Sequence, residues 1–299
     1  MAYEKVEVYS PRSLAEALEL LSQKREAVKP VAGGTDIMVM LKDGVLKEKE
    51  LLNLSFIPEL SYIKESENRV LIGATTKYRE IRRSPLINAY SPILIEAIRQ
   101  IGSPQIQNLG TIGGNLGTAS PAGDSIPPLY ILNSRVKLQK LGSSREVQID
   151  KFFLGPRKTV KESDELITEI SIEKMDPGSY YFFEKLGLRS ANAISIVSAA
   201  AILSLENNTV KYLRLSLGAV APTVIRAVEA EELAKDKELN EELIDRIAKL
   251  AAESTKPITD IRGTAEYRKK ATYGIIYEAL YKIMKGYGKK VEYGFENTS

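Results

Sequence analysis

Ala27-Val28-Lys29-Pro30-Val31-Ala32, followed at once by Gly33-Gly34-Thr35-Asp36, is the stretch on which the reading of the fold turns. Its first six residues suit a short strand, the glycine pair ends it, and residues 36–41 continue as a helix. Working outward, residues 4–9 read as a strand leading to Ser10-Pro11. Ser13 and Glu16 form a capping box ahead of Leu14, Ala17, Leu18 and Leu21, which make one helical stripe. Residues 51–54 give a third strand. Strands joined by helices need crossover connections, so a small parallel sheet is expected over residues 1–57.

From Ile57 the texture changes. Residues 69–73 read as a strand, and Thr75 or Thr76 is expected to cap a helix running through Ile81. Ser91-Pro92 is a second helix start, with Leu94, Ala97, Ile98 and Ile101 on one face and Gly102 as the stop. Residues 102–128 are rich in Gly, Pro, Ser and Asn and show little periodicity, so they read as a long binding loop. Strands follow at residues 135–140 and 166–172, giving a middle unit over residues 58–176. Asp176-Pro177-Gly178 marks the boundary to a third unit, residues 177–299. There a three-stranded antiparallel meander (residues 179–186, 193–205 and 210–220, with a turn at Asn207-Asn208) precedes helices at 224–233, 241–254 and 264–285. Residues 286–299 read as a poorly ordered tail. The expected fold class is α+β.

Composition narrows the chemistry. The 299 residues contain no Cys, no His and no Trp. No disulfide framework, zinc ribbon, iron–sulfur cluster or imidazole catalysis can therefore come from this chain, nor can flavin be attached through His or Cys. The 42 basic and 39 acidic residues nearly balance, which leaves no nucleic-acid footprint. The apolar run at residues 193–205 falls short of the roughly 18 residues that span a bilayer, and the polar N-terminus does not read as a signal peptide. A cytoplasmic protein without membrane insertion is expected, with a thermophilic source suggested by abundant Lys and Glu and the lack of Cys.

Two glycine motifs carry the functional reading. Ala32-Gly33-Gly34-Thr35-Asp36 suits an anion cradle, because glycine lets backbone N–H groups come close to a phosphate. It equally suits a tight strand-to-helix turn capped by Thr35 or Asp36. Thr111-Ile112-Gly113-Gly114-Asn115 offers a second set of donors, followed by Ala119-Ser120-Pro121-Ala122-Gly123-Asp124, where Asp124 could accept from polyol hydroxyls; the alternative is an irregular surface loop. Neither motif is a Walker A or a G-x-G-x-x-G sequence. Two cradles with no catalytic His or Cys suggest a diphosphate ligand that brings its own reactive group, for which a flavin dinucleotide is better suited than ATP. Val replacing Gly33 or Gly114 is expected to cut ligand affinity without unfolding the chain. The aromatic cluster Tyr180, Tyr181, Phe182 and Phe183 reads as core packing.

The pair AGGTD (32–36) and TIGGN…ASPAGD (111–124) resembles the FAD-binding subunits of the molybdenum hydroxylases, which include those of carbon monoxide dehydrogenase, xanthine dehydrogenase and archaeal aldehyde or glyceraldehyde oxidoreductases. The resemblance extends through LLNLSFIPEL (51–60), IGATTKYREI (72–81), SDELITEISI (163–172), GAVAPTVIRAVEAEELA (218–234) and PITDIRGTAEYRKK (257–270). It departs at Gln107, where the family commonly carries Arg. The cysteine-bearing insertion of the 4-hydroxybenzoyl-CoA reductases is absent.

What the resemblance implies is a vanillyl-alcohol-oxidase-type, or PCMH-type, FAD-binding fold with an α+β C-terminal domain. Pro30, Val31, Ala32, Gly33, Gly34, Thr35 and Asp36 would wrap one side of the FAD pyrophosphate. Thr111, Gly113, Gly114 and Asn115 would wrap the other, with Thr118 nearby. Asp124 would bind ribityl hydroxyls, Ile101 and Leu166 would line the isoalloxazine pocket, and Lys185 would lie near the ring unless it is an ordinary surface lysine. No catalytic side chain and no metal ligand are expected on this chain. Partners would be a large molybdopterin subunit and a small subunit with two [2Fe–2S] clusters, in a heterotrimer or its dimer. Electrons would pass from the clusters to FAD and on to an external acceptor, with an aldehyde such as glyceraldehyde oxidised at molybdenum. A stand-alone flavin oxidoreductase of the same fold and a nucleotide-binding assembly module are the alternatives.

Overall fold

Three sheets organise the computed structural model, which describes residues 6–46, 48, 50–189 and 192–293. The first is parallel, in the order Glu7–Tyr9, Glu50–Asn53, Val28–Val31, and has helix Leu14–Lys24 as a crossover. Residues 4 and 5 of the expected first strand lie outside the described residues. Ser13 caps that helix, accepting from the Glu16 amide at 3.2 Å, but the Glu16 carboxylate reaches the Arg12 amide rather than that of Ser13. Ala17, Leu18 and Leu21 are buried beneath the sheet with Leu52 and Leu54.

The second sheet is antiparallel and five-stranded, in the order Ile63–Ser66, Arg69–Gly73, Leu166–Glu173, Arg135–Lys140, Ser143–Gln148. Its outer strands went unread in the sequence because their faces are largely exposed and polar. Thr75 and Thr76 cap no helix. Thr76 Oγ1 instead bridges the amide and carbonyl of Tyr62, and helix Tyr78–Arg83 starts after Lys77, whose amide bonds the Glu80 carboxylate. Ser91 does precede helix Pro92–Arg99, but its hydroxyl makes no capping bond. Residues 102–128 are not an irregular loop. They form helices Pro104–Leu109 and Ile112–Thr118 and the start of Ile126–Ile131, each too short to show an apolar period.

The third sheet has five strands rather than three, in the order Ile225–Arg226, Thr209–Gly218, Val197–Glu206, Tyr180–Leu186, Lys289–Lys290. Asn207 and Asn208 turn the central hairpin with φ of 47° and 63°, a conformation Asn tolerates better than most residues. The apolar stretch 199–203 within strand Val197–Glu206 follows from burial on both faces: Phe183, Ala200 and Ile202 join the core of the middle sheet, while Phe182, Ala199, Ala201 and Leu203 pack under helices Glu241–Glu253 and Ala265–Met284. The expected helix at 224–233 is shortened to Val228–Ala234 because Ile225–Arg226 pairs with the sheet edge. Nor are residues 286–293 a loose tail. Val291 is buried, its amide bonds the Ser179 carbonyl, and the Tyr293 ring meets Tyr90 edge-on at 5.1 Å; residues 294–299 lie outside the described residues. Among the described residues no helix is long and apolar enough to cross a membrane.

Arg268 ties the third unit together. Only 2% exposed, it donates to the carbonyls of Ile196 (2.8 Å) and Ala219 (2.9 Å) and to Asp260 Oδ1 (2.8 Å). Arg268→Leu removes the donor from the Ile196 and Ala219 carbonyls, while Asp260 keeps the Arg262 amide, and is expected to lower stability by about 3 kcal/mol in thermal or denaturant melts.

Candidate functional site

The first and second sheets meet over a cleft of about 490 Å³. The strand Val28–Val31 delivers Ala32, Gly33, Gly34, Thr35 and Asp36 to one wall. Gly33 is required by packing: a Cβ there would lie 1.9 Å from the Leu109 carbonyl oxygen, at the end of helix Pro104–Leu109. Gly34 is required by conformation, at φ +70°. The amides of Gly33, Gly34, Thr35 and Asp36 have no acceptor among the described residues. Asp36 stands before helix Ile37–Lys42 without capping it, and its carboxylate accepts instead from Thr118 Oγ1 at 2.8 Å, across the cleft. A capping Thr35 or Asp36 would have accepted from amides two or three residues further on, and Asp36 does not; residues 33–36 thus line the cleft with four amides that have no protein acceptor among the described residues.

The second motif forms the opposite wall and works differently. Thr111 caps helix Ile112–Thr118, accepting from the Gly114 amide at 3.1 Å. The Gly113 amide bonds the Ala74 carbonyl at 2.9 Å, and the Ile112 amide bonds that of Thr76 at 3.3 Å. A Cβ at Gly113 would sit 2.6 Å from both Ala74 Cβ and its carbonyl oxygen. These amides are already spent inside the protein, so the glycines keep the helix pressed to the middle sheet. What this wall offers is side chains. Asn115 Oδ1 accepts from Ser125 Oγ at 2.9 Å, which leaves its Nδ2 without a protein acceptor among the described residues. Ser125 in turn lies 3.3 Å from the hydroxyl of buried Tyr78, whose pKa burial pushes up.

Residues 157–167 close the third side. Glu165 organises them: its carboxylate takes Arg145 Nε and Nη2 at 2.7 and 2.8 Å and the Glu162 amide at 2.7 Å. Burial alone would raise this carboxyl, but Arg145 and the Glu162 amide outweigh it and hold it below its ordinary value. Lys161 donates to the carbonyls of Glu162 and Glu165 at 2.8 and 3.0 Å, and burial, with Lys29 nearby, pulls its pKa down. Arg157, its amide bonded to the Ala119 carbonyl at 2.9 Å, adds another cation to the lining.

Of the residues expected at the site, Pro30, Val31, Ala32, Gly33, Gly34, Thr35, Asp36, Ile101, Thr111, Gly113, Gly114, Asn115, Thr118 and Leu166 line the cleft. Asp124 and Lys185 are not among the lining residues. They pair with each other at 2.7 Å, with side chains 7% and 6% exposed, while Ser195 donates to Asp124 and Lys185 donates to the Gln100 carbonyl at 2.8 Å. Burial pushes the Asp124 carboxyl up, against the pull of Lys185 and Ser195. Sequence reasoning missed Thr75, Tyr78, Ile106, Arg157, Lys161 and Ile167, all on the lining. Among the described residues no three acidic side chains gather to hold a metal.

Comparison with known proteins follows the same division. The family described as the FAD binding domain in molybdopterin dehydrogenase matches residues 4–174, and the CO dehydrogenase flavoprotein C-terminal domain matches residues 182–283. The chain is 33% identical to the glyceraldehyde dehydrogenase medium chain of Sulfolobus acidocaldarius, over 91% of this chain and 95% of that one. It is 31% identical to the carbon monoxide dehydrogenase medium chain of Hydrogenophaga pseudoflava, over 92% and 95% respectively. A solved structure of carbon monoxide dehydrogenase from the same organism superposes with a TM-score of 0.91 at 31% identity, covering 94% of this chain and 98% of that one.

Because Gly33 abuts a backbone carbonyl, Gly33→Ala is expected to lower the melting temperature as well as ligand affinity, contrary to the sequence-based expectation that a side chain there disturbs binding alone. The pH dependence follows from Glu165. With its folded pKa below the ordinary value of 4.5, its contribution is fully present above 4.5 and is lost as pH falls from there through the lower folded value. Melts between about pH 5 and pH 3 should therefore fall more steeply for the native chain than for Glu165→Gln.

Proposed function

The chain belongs to the FAD-binding medium subunits of the molybdenum hydroxylases, and from that premise we propose that the cleft holds FAD and relays electrons from the [2Fe–2S] clusters of a small partner subunit to an external acceptor. The observation that carries the reading is the row of unpartnered amides at Gly33, Gly34, Thr35 and Asp36, facing a cleft whose lining includes Lys29, Arg157 and Lys161. Unpaired N–H groups beside cations suit a diphosphate bridge. Pro30, Val31 and Ala32 bring those amides to the cleft, and Thr111 and Asn115 offer side-chain hydrogen bonds from the opposite wall. Ile101 and Leu166 supply apolar surface for the isoalloxazine and exclude water from it. Thr118 holds Asp36 and so ties the two walls together.

Bound FAD supplies the conversion of single electrons into electron pairs; the protein supplies its placement and electrostatic setting. We assign oxidation of the organic substrate to a large molybdopterin subunit, in a heterotrimer or its dimer; the match to the FAD binding domain in molybdopterin dehydrogenase supports this. Aldehyde is the substrate class we propose for the complex, supported by the 33% identity to the glyceraldehyde dehydrogenase medium chain.

FAD titrated into the purified chain should remain bound through gel filtration at one per chain, with a protein-shifted visible band. No retained flavin contradicts the proposal. Purification from the native source should bring molybdenum and iron with the chain, and their absence favours a stand-alone flavoprotein.

A further inference from the structure

Gln100, Ile101 and Gly102 join helix Pro92–Arg99 to Ser103, the cap of helix Pro104–Leu109, and Ile101 forms part of the cleft wall. Two side chains from elsewhere hold this link by its carbonyls. Lys185 takes the Gln100 carbonyl from the third sheet. Gln107, only 3% exposed, donates Nε2 to the Ile101 carbonyl at 2.9 Å, while its Oε1 accepts from Arg82 Nη1 at 2.7 Å. Gly102 lies at φ +50°, and a Cβ there would press on the Ile106 side chain at 2.9 Å. The link is thus held on both sides of Ile101.

The chemistry at position 107 is specific. One side chain must donate to a carbonyl and accept from a guanidinium, which a primary amide does and an arginine cannot. An arginine at position 107 would set like charges together beside Arg82, so Gln107 and Arg82 form a matched pair. Arg82 also fixes which end of the amide faces Ile101.

We propose that Gln107 is a positioning residue for the flavin: by holding the Ile101 carbonyl it sets the apolar wall that the cleft presents to the isoalloxazine. This rests on the reading of the cleft as the FAD site. Such a wall governs how much water reaches the ring, so its displacement is read in the spectrum of the bound flavin.

The test uses the full chain loaded with FAD. Gln107→Glu keeps the acceptor for Arg82 and places an oxygen against the Ile101 carbonyl; Gln107→Met removes both bonds at similar volume. Both variants are expected to bind FAD about tenfold more weakly, from the loss of a buried hydrogen bond, and to shift the visible flavin band while raising flavin fluorescence. Arg82→Gln, at an exposed position, is expected to shift the band in the same direction but less, and carries the test if the Gln107 variants do not fold. An unchanged flavin spectrum and Kd in whichever variants fold, even with a lowered melting temperature, make Gln107 merely structural and overturn the proposal. Failure of the native chain to bind FAD overturns the cofactor reading, and this one with it. Native binding with unaltered variants overturns this one alone.

Discussion

Gly33 packs against the carbonyl of Leu109 so closely that no side chain fits between them, and the cleft depends on this contact. It brings the end of a strand in the parallel sheet against a short helix of the middle unit. The hydrogen bond from Thr118 to Asp36 adds a second tie, so the two glycine motifs face each other at a set separation. Leu166 belongs to a strand of the middle sheet yet packs into the core of the first, which binds the third side of the cleft to the same frame.

Within that frame the two motifs divide their labour, although both are written as paired glycines. The first leaves its amides unpaired and uses glycine for backbone approach and positive φ. The second pairs its amides with Ala74, Thr76 and Thr111, using Gly113 to let a helix lie against the sheet. In the proposed FAD site, backbone donors for an anion come from residues 33–36, while residues 111–118 offer side chains. The missing His and Cys are consistent with this plan. A chain that holds a redox cofactor by amides, cations and apolar walls needs neither ligand nor base of its own.

Much of this was legible in the sequence, and the failures have physical causes. The parallel sheet, the antiparallel meander and the long C-terminal helices announced themselves by caps, apolar stripes and the Asn207-Asn208 turn. Residues 102–128 did not, because six- and seven-residue helices complete too few turns to show a period. Ser103-Pro104 carried the same start signal as Ser91-Pro92 and went unread. The edge strand Lys289–Lys290 is two lysines with no pattern, held by its pairing with Tyr180 and Tyr181 and by the burial of Val291. At the site, small and apolar positions were found from the motifs. Arg157 and Lys161 were not, since a lone basic residue in a polar stretch looks like any other surface charge. Asp124 and Lys185 are expected as ligand contacts; the fold pairs them with each other, a contact across 61 residues that no local pattern encodes.

The central claim is that diphosphate binding falls to the unpaired amides of the first motif and not to the paired amides of the second. Hydrogen–deuterium exchange of the full chain with and without FAD tests it directly. Amides of residues 33–36 should exchange freely in the unliganded chain and become strongly protected when FAD is added, while those of Gly113 and Gly114 should be protected in both states. New protection at residues 113–114 with none at 33–36 would contradict the account.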